Sequence, residues 1–408
     1  MRRRTFITGV AGAGLAASGL RSASAEPWAG PDAGPGVGPD AGPGADSGAG
    51  PGAGPGAGGV AGPDRATGAP RTWQAVTAPT GTPAAHLVDV AAASASLAWA
   101  VGEEGRNGST RGVPLALVWD GSSWTRTGLG HLALTGHLRS VAGTSATTAR
   151  AVASDTSGGS HLLGWDGTTW QQLAFPGKGQ PGVSLTAVAV GPAGDLWVSG
   201  RGPGGSVLLH GDSGGGGGGL SWTDPPPGAT TATPTGLRIG PDGQVWVFCD
   251  QFVGRWSGTA WTEMPTPPGI RAAVTDLLPV GHHDIWLTGF SYGVGGPPGK
   301  PPGVTLLHGD GASWQYVAAP FTVGMLTAIT DDGQGGPDRI AGWDFWDQTR
   351  AHHLRWSGTG WVSERGPVAS TPVLMNSLVT VPGTASDYWA VGTTSMYPSP
   401  PAQLRIER

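Results

Sequence analysis

The phrase Leu163-Gly164-Trp165-Asp166-Gly167-Thr168-Thr169-Trp170 recurs along the chain, and a recurring unit limits the possible folds more than any other feature of this sequence. It reappears as Trp119-Asp120-Gly121-Ser122-Ser123-Trp124, as Trp256-Ser257-Gly258-Thr259-Ala260-Trp261 and as Trp356-Ser357-Gly358-Thr359-Gly360-Trp361. Looser copies begin at His210-Gly211-Asp212, with a glycine run before Trp222, and at His308-Gly309-Asp310-Gly311-Ala312-Ser313-Trp314. In each copy alternating apolar residues enter a Gly-containing turn, and a Trp then opens a second short extended run. This pattern predicts a β-hairpin in which Gly and Asp supply the left-handed backbone conformations of the turn.

Two further runs precede each hairpin in fixed order. The first is an apolar strand such as Leu185-Thr186-Ala187-Val188-Ala189-Val190, and the second is of the type Asp195-Leu196-Trp197-Val198-Ser199-Gly200. Second strands of this form recur around Trp99, Trp246, Trp286 and Trp389, with Arg150 and Ile340 expected at the Trp position of two degenerate copies. The hairpin tryptophans 124, 170, 222, 261, 314 and 361 are spaced by 39 to 53 residues. Four strands per repeat of that length predict an all-β chain forming a β-propeller of four-stranded antiparallel blades. The last repeat has three strands and then the chain stops, while Arg71-Thr72-Trp73-Gln74-Ala75-Val76-Thr77-Ala78-Pro79 reads as an orphaned Trp-led fourth strand. The N-terminal strand is therefore expected to complete the last blade, giving a single seven-bladed ring over 71–408 with no open edge.

With these D-x-W-A-V-G and W-D-G-x-x-W phrases the chain resembles secreted bacterial β-propellers with kelch-like or Asp-box-like blades. The phrase Asp166-Gly167-Thr168-Thr169-Trp170 is one residue shorter than a usual Asp-box, and a regular Gly-Gly pair of the kelch type is missing. The resemblance implies a fold and no activity. Most of the 19 tryptophans fall on repeated strand positions, where a large flat side chain wedges one blade against the next. The Asp preceding the second-strand Trp (Asp195, Asp284, Asp338, Asp387) is expected to satisfy turn amides.

Ahead of the repeats, Arg2-Arg3-Arg4 precedes a weakly apolar run ending in Ala23-Ser24-Ala25, which reads as a cleavable signal over 1–25. Arg3-Arg4-Thr5-Phe6-Ile7 resembles the twin-arginine export motif. The apolar run is too short to span a bilayer, so no transmembrane segment is expected after cleavage. Residues 26–70 are mostly Pro, Gly, Ala and Asp, which bury too little to offset the entropy of ordering, so they read as a disordered linker. An exported protein, extracellular or associated with the cell envelope, follows. Its single cysteine, Cys249, excludes an internal disulfide, so stability must come from packing. Charged residues make up 12%, the net charge is −5 and only Lys178 and Lys300 are lysines, which argues against nucleic acid as a partner.

In a four-stranded blade the second-to-third connections and the inter-blade connections share one face of the disc. These vary most here, at 103–113, 155–160, 201–205, 291–303, 344–351 and 393–401. Variable loops on a rigid scaffold are where recognition concentrates. Asp344-Phe345-Trp346-Asp347 sets aromatics beside carboxylates outside the repeat, and Tyr292 and Tyr397 supply two of only four tyrosines. These six residues are the candidate ligand-binding set, suited to stacking on sugar rings or anchoring a protein.

The candidates for chemistry are weaker. His282-His283 occupies a turn, and His352-His353 alternates along a third strand, so neither pair converges as metal ligands would. The acidic run from Asp331 to Asp338 has oxygen ligands but lacks the spacing of a known Ca²⁺ loop. Glu103-Glu104 reads as a solvated carboxylate pair. Arg139 and Arg238 are the only inner-strand arginines, short of what a sialidase-type site needs. No catalytic residue, metal site or cofactor is assigned. The leading expectation is a monomeric, non-catalytic propeller binding an envelope glycan or an extracellular protein. The alternatives are a glycoside hydrolase or lyase with its site at the channel mouth, and a structural envelope protein.

Overall fold

A computed structural model describes residues 69–408, except 108–109, 193, 203, 213–218, 225, 227–231, 251, 266–271, 292–300, 385 and 395–400. The leader, the linker up to residue 68 and the glycine run before Trp222 therefore lie outside the described residues. Seven four-stranded antiparallel sheets form a seven-bladed propeller. Blade 1 runs outward from His86–Ser94 through Leu97–Glu104 and Val113–Trp119 to Trp124–Arg126. The innermost strands of blades 2 to 7 are His137–Ala142, Ser184–Val190, Gly236–Ile239, Ala272–Gly281, Gly324–Asp331 and Val373–Thr380. The only helix among the described residues is one short 3₁₀ turn at Gly130–Leu132.

The ring closes as the orphaned strand requires. Ala75–Val76 forms the outer edge of blade 7 beside Gln403–Glu407, with Ala75 opposite Glu407 and Val76 opposite Ile406. Flanking bonds extend the pairing: Gln74 N–H donates to the Arg408 carbonyl at 3.0 Å, and Arg408 N–H donates back to Gln74 at 2.9 Å.

The hairpin phrase is now explained by what its two tryptophans touch. In blade 2, Trp165 and Trp170 lie 5.4 Å apart, and Trp165 meets second-strand Trp99 of blade 1 edge-on at 6.4 Å. Trp119 and Trp124 of blade 1 close on Trp389 of blade 7 at 4.8 and 5.1 Å. Trp256 and Trp261 of blade 4 make a pair beside Trp197 of blade 3. Trp356 and Trp361 of blade 6 hold Trp286 of blade 5 at 5.2 and 5.5 Å. Each two-Trp hairpin thus grips the preceding blade, and each such aromatic pair adds about 0.5–1.5 kcal/mol beyond its area burial. Blades 3, 5 and 7 lack the two-Trp phrase, and the seams before them are built differently.

The seam between blades 6 and 7, where the ring is sealed, is built on buried polar groups. Fully buried Arg339 pairs with Asp338 and with Glu364 (3.3 Å). Glu364 also accepts the indole N–H of Trp73 at 3.2 Å, and Tyr388 donates its hydroxyl to Asp338. Trp73 stacks on His353 at 3.8 Å, and His353 bonds Glu407 at 2.9 Å. Burial pushes the Asp338 carboxyl up despite its bond from Tyr388.

Two expectations about the second strands need correction. In register, Trp197 lies opposite Ala189 and Trp286 opposite Leu278, each three residues beyond an inner-strand bulge; in blade 6 that place pairs Thr330 with Arg339. Arg339, and not Ile340, therefore stands at the Trp position, because the pairing of blade 6 skips Asp338. Among the described bonds, the side chains of Asp195 and Asp284 serve indoles and not turn amides. They accept the indole N–H of their own motif, from Trp197 at 3.1 Å and from Trp286 at 3.0 Å, while Asp387 takes Arg408 at 2.9 Å. The turn amides belong to the hairpin Asp: Asp166 accepts Thr168 and Thr169 N–H at 2.9 and 2.8 Å, and Asp310 accepts Ala312 and Ser313 at 2.9 and 2.7 Å. Asp120 does the same for Ser122 and Ser123, which holds its carboxyl down at about 2.

Around the central axis the inner strands are stitched to one another. Six of the seven carry a bulge at the same place, at Val88, Arg139, Thr186, Thr275, Thr327 and Asn376. Four of these side chains donate to a carbonyl of the next blade at 2.7 Å: Thr186 to Pro234, Thr275 to Leu326, Thr327 to Met375 and Asn376 to Leu87. The residue after the bulge adds the reverse bond in three blades, where Asp89 accepts Val141 N–H at 2.9 Å, Ser140 Oγ accepts Val188 N–H at 3.3 Å and Asp276 accepts Ile329 N–H at 3.0 Å. At about 1 kcal/mol per bond this girdle adds stability and fixes the spacing of the blades.

Candidate functional site

The second-to-third connection of blade 6 carries the most exposed aromatic side chain among the described residues. The penultimate residue of strand Pro337–Asp344 is Trp343, buried against Met325 and Leu374. Phe345 meets Trp343 edge-on at 5.8 Å and in turn supports Trp346 edge-on at 5.0 Å. Trp346 is 77% exposed, the highest value among the large apolar side chains described. Its loop is nevertheless fixed. Phe345 N–H donates to Val323 at 3.1 Å, Asp347 N–H to Asp344 at 3.3 Å, and the Gln348 and Thr349 carbonyls accept Val373 and Ala369 N–H at 2.8 Å. An indole held out on an anchored loop loses little freedom when it is covered.

The carboxylates beside it are unequal. Asp344 is buried and occupied: it caps Trp346 N–H at 3.0 Å and pairs with Arg365 at 3.0 Å. Asp347 reaches Arg365 at 3.7 Å and is partly exposed, so Asp347 and Arg365 are the polar groups a ligand on Trp346 would meet. Behind them His352 stacks on Phe321 at 4.1 Å and bonds Ser363 at 2.8 Å. Burial first, then the Arg365 charge, lower its imidazole to about 3. The structure brings Asp344, Phe345, Trp346 and Asp347 together, whereas Tyr292 and Tyr397 lie outside the described residues.

The remaining candidates have structural tasks. His282 and His283 are exposed in the turn before Asp284. His352 and His353 point to opposite sides of their strand, to Phe321 and to Trp73. In the acidic run, Asp331 caps Gly333 N–H at 2.9 Å and Asp332 caps Gln334 and Gly336 at 2.7 and 2.9 Å. Cys249 is buried in an apolar cluster. Arg238 makes a two-pronged pair with Asp276 at 2.8 and 2.7 Å. Glu103 and Glu104 are not solvated: both are buried at the end of their strand, Glu103 beside Arg106 and Arg111, and Glu104 against Arg126 at 2.6 Å. The second strand of blade 1 runs on to Glu104, so both glutamates are strand residues and not part of the loop expected from Glu103 onward. Among the described residues no group of three or more His, Cys, Asp or Glu is placed to hold a metal ion, and no helix is long and apolar enough to cross a membrane.

No family model matches this chain, and no curated relative does. Its likeness is to solved structures alone. One is YCF48 bound to D1 peptide, at 13% identity and a TM-score of 0.53, covering 83% of this chain and 99% of that one. A second is YCF48 from Cyanidioschyzon merolae, at 14% identity, a TM-score of 0.52 and coverage of 83% and 98%. A third is the extracellular domain of a putative hybrid two-component system from B. thetaiotaomicron, at 14% identity and a TM-score of 0.51. That match covers 82% of this chain and 39% of the other. At these identities the likeness is one of fold.

Proposed function

We propose that the chain is an exported, non-catalytic propeller that binds an envelope glycan or an extracellular protein through its variable face, with Trp346 as the anchor. The observation that carries this reading is the contrast among the tryptophans. Most of those in the repeat are buried or half-buried between blades and Trp222 is 45% exposed, whereas Trp346 is 77% exposed on a loop that hydrogen bonds hold still. Covering such an indole buries a large apolar area with little ordering cost, and Asp347 and Arg365 give the contact polar direction. The peptide bound to YCF48 is an instance of a propeller of similar fold holding a partner.

The test is a glycan array together with pull-down from an envelope extract, using residues 69–408 with and without Trp346→Ala. The substitution is expected to weaken retention of the partner at least tenfold and to move Tm by less than about 1 °C, since an exposed side chain contributes little to stability. Equal retention by the variant would remove Trp346 from the binding surface. Export rests on Arg3-Arg4-Thr5-Phe6-Ile7 and the small residues at Ala23-Ser24-Ala25. Replacing Arg3 and Arg4 together by lysine is expected to leave the unprocessed chain inside the cell, scored by fractionation. Export at the normal level would place the chain on another route.

A further inference from the structure

The turn that carries Trp346 also carries a carboxylate with no hydrogen bond of its own. Trp346 N–H donates to Asp344 Oδ1 at 3.0 Å, and Asp347 N–H donates to the Asp344 carbonyl at 3.3 Å. Both residues are thus fixed to Asp344 within one tight turn. Asp344 directs its second oxygen to Arg365 Nη2 at 3.0 Å, with His352 Nδ1 3.4 Å away. The Asp347 side chain is 36% exposed, and its contact is with Arg365 Nη1 at 3.7 Å, beyond hydrogen-bond reach. Among the described residues no group donates a hydrogen bond to either Asp347 oxygen. Two carboxylates therefore share one guanidinium beside the indole, and His352, lowered to about 3, adds no charge.

The indole itself is open. Among the described residues its one ring contact is Phe345, edge-on at 5.0 Å with the planes at 84°. No opposing aromatic wall closes over it, so the tip of a lysine would not be enclosed as it is in an aromatic cage. An open indole suits the broad C–H face of a sugar ring, which covers apolar area without needing walls. The ring's equatorial groups then project sideways, where the neighbouring side chain can meet them. An acidic sugar would set its own carboxylate against Asp347. A protonated amine would instead give Asp347 the donor it lacks, in a charge-assisted bond roughly twice as strong as a neutral one. The same ammonium is attracted to the indole ring.

We infer that Trp346 and Asp347 form a subsite for a sugar unit bearing a protonated amine, with the indole under the C–H face of the ring and Asp347 accepting the ammonium N–H. This rests on Trp346 being the anchor proposed above, and it names the class of glycan that the anchor takes. Arg365 steadies Asp347 through charge while leaving its oxygens to the ligand. An N-acetylated unit keeps the stacking and loses the ion pair, so it binds more weakly.

The test follows the Trp346 indole N–H signal, identified by its loss in Trp346→Phe, in the full chain labelled with ¹⁵N-tryptophan at about pH 6, where the amine carries its proton. The tetramer of glucosamine, the tetramer of N-acetylglucosamine and tetralysine are titrated at equal ionic strength. The glucosamine tetramer is expected to shift the signal saturably and to bind at least fivefold more tightly than the N-acetylated one, with no saturable change from tetralysine. Asp347→Asn is expected to bring the two sugars within about twofold of each other. Equal binding of the two tetramers by the wild type, a glucosamine preference that survives Asp347→Asn, or tetralysine binding as tightly as the glucosamine tetramer would overturn the subsite. Silence of both tetramers would overturn it as well. Should Trp346→Ala still release the envelope partner in that case, the anchor stands and the amine assignment alone falls.

Discussion

Deleting residues 71–78 is expected to lower Tm by about 10 °C and to make the protein aggregate on heating. The segment contributes Trp73, buried between His353 and Tyr388, whose replacement by Ala alone should cost about 3–5 kcal/mol. It also supplies two of the donors to Glu364, the Arg71 backbone N–H at 3.3 Å and the Trp73 indole N–H at 3.2 Å. Losing both leaves a buried carboxylate short of partners, at a further cost of about 1–3 kcal/mol. Unfolding entropy for a ring of roughly 340 residues corresponds to about 0.7 kcal/mol per degree, so the sum of about 4–8 kcal/mol is about 6–11 °C, near 10 °C once the lost strand pairing is added. The deletion also strips the outer edge of Gln403–Glu407, which then offers unpaired backbone groups to another molecule. Calorimetry of the deletion and of Trp73→Ala, expected at about 4–7 °C, checks both parts. A deleted protein that melts with the wild type would show that the ring does not rely on this strand.

Acid is expected to weaken the fold well above the pH at which carboxylates titrate. His137 and His352 are both buried, and each is lowered to about 3 in the folded protein. In the unfolded chain each returns to about 6.5. Between these values the unfolded state binds more protons, so stability falls as pH falls from about 6.5 and goes on falling to about 3. At pH 5 each histidine accounts for about 2 kcal/mol, and together they lower Tm by about 6 °C relative to pH 7.5. Asp89, Asp331 and Asp338, whose carboxyls burial pushes up, act in the opposite sense. They stabilise the protonated fold in acid, and that contribution fades as pH rises through their raised values. Melting curves at pH 7.5 and 5 measure the difference, and the double variant His137→Gln, His352→Gln is expected to remove most of it. A wild-type Tm equal at both values would contradict the assignment of these two imidazoles as neutral and buried.

The blade count and the sealing strand were legible because they depend on spacing. A Trp every 39 to 53 residues and one missing fourth strand leave a single way to close the circle. That the repeat tryptophans pack was legible from their positions. Which partner each meets was not, since a hairpin gives no sign that it reaches back to the preceding blade. Arg339 was misplaced for a similar reason: the skipped pairing at Asp338 shifts the register by one residue and leaves no mark in composition. The threonine girdle was invisible because Thr186, Thr275 and Thr327 are ordinary strand residues until a bulge turns them toward the next blade.

Of the candidate site, Trp346 could be read from the sequence because it breaks the repeat. Asp344 could not be told from Asp347, since burial and the Arg365 contact decide their different roles. His137 was missed altogether. It sits in an apolar strand beside Leu138, and nothing in that run shows that packing would bury its ring with neither nitrogen partnered.

Hydrogen exchange at the amides of Gln74 and Arg408 tests the sealed ring most directly. These two groups bond each other's carbonyls across the joint between the N-terminal strand and the last one. Sealing predicts that both exchange as slowly as the Val391 amide in the middle of the same blade. Exchange of Gln74 and Arg408 at the rate of a free peptide, with Val391 still protected, would mean that blade 7 has three strands and the circle is open.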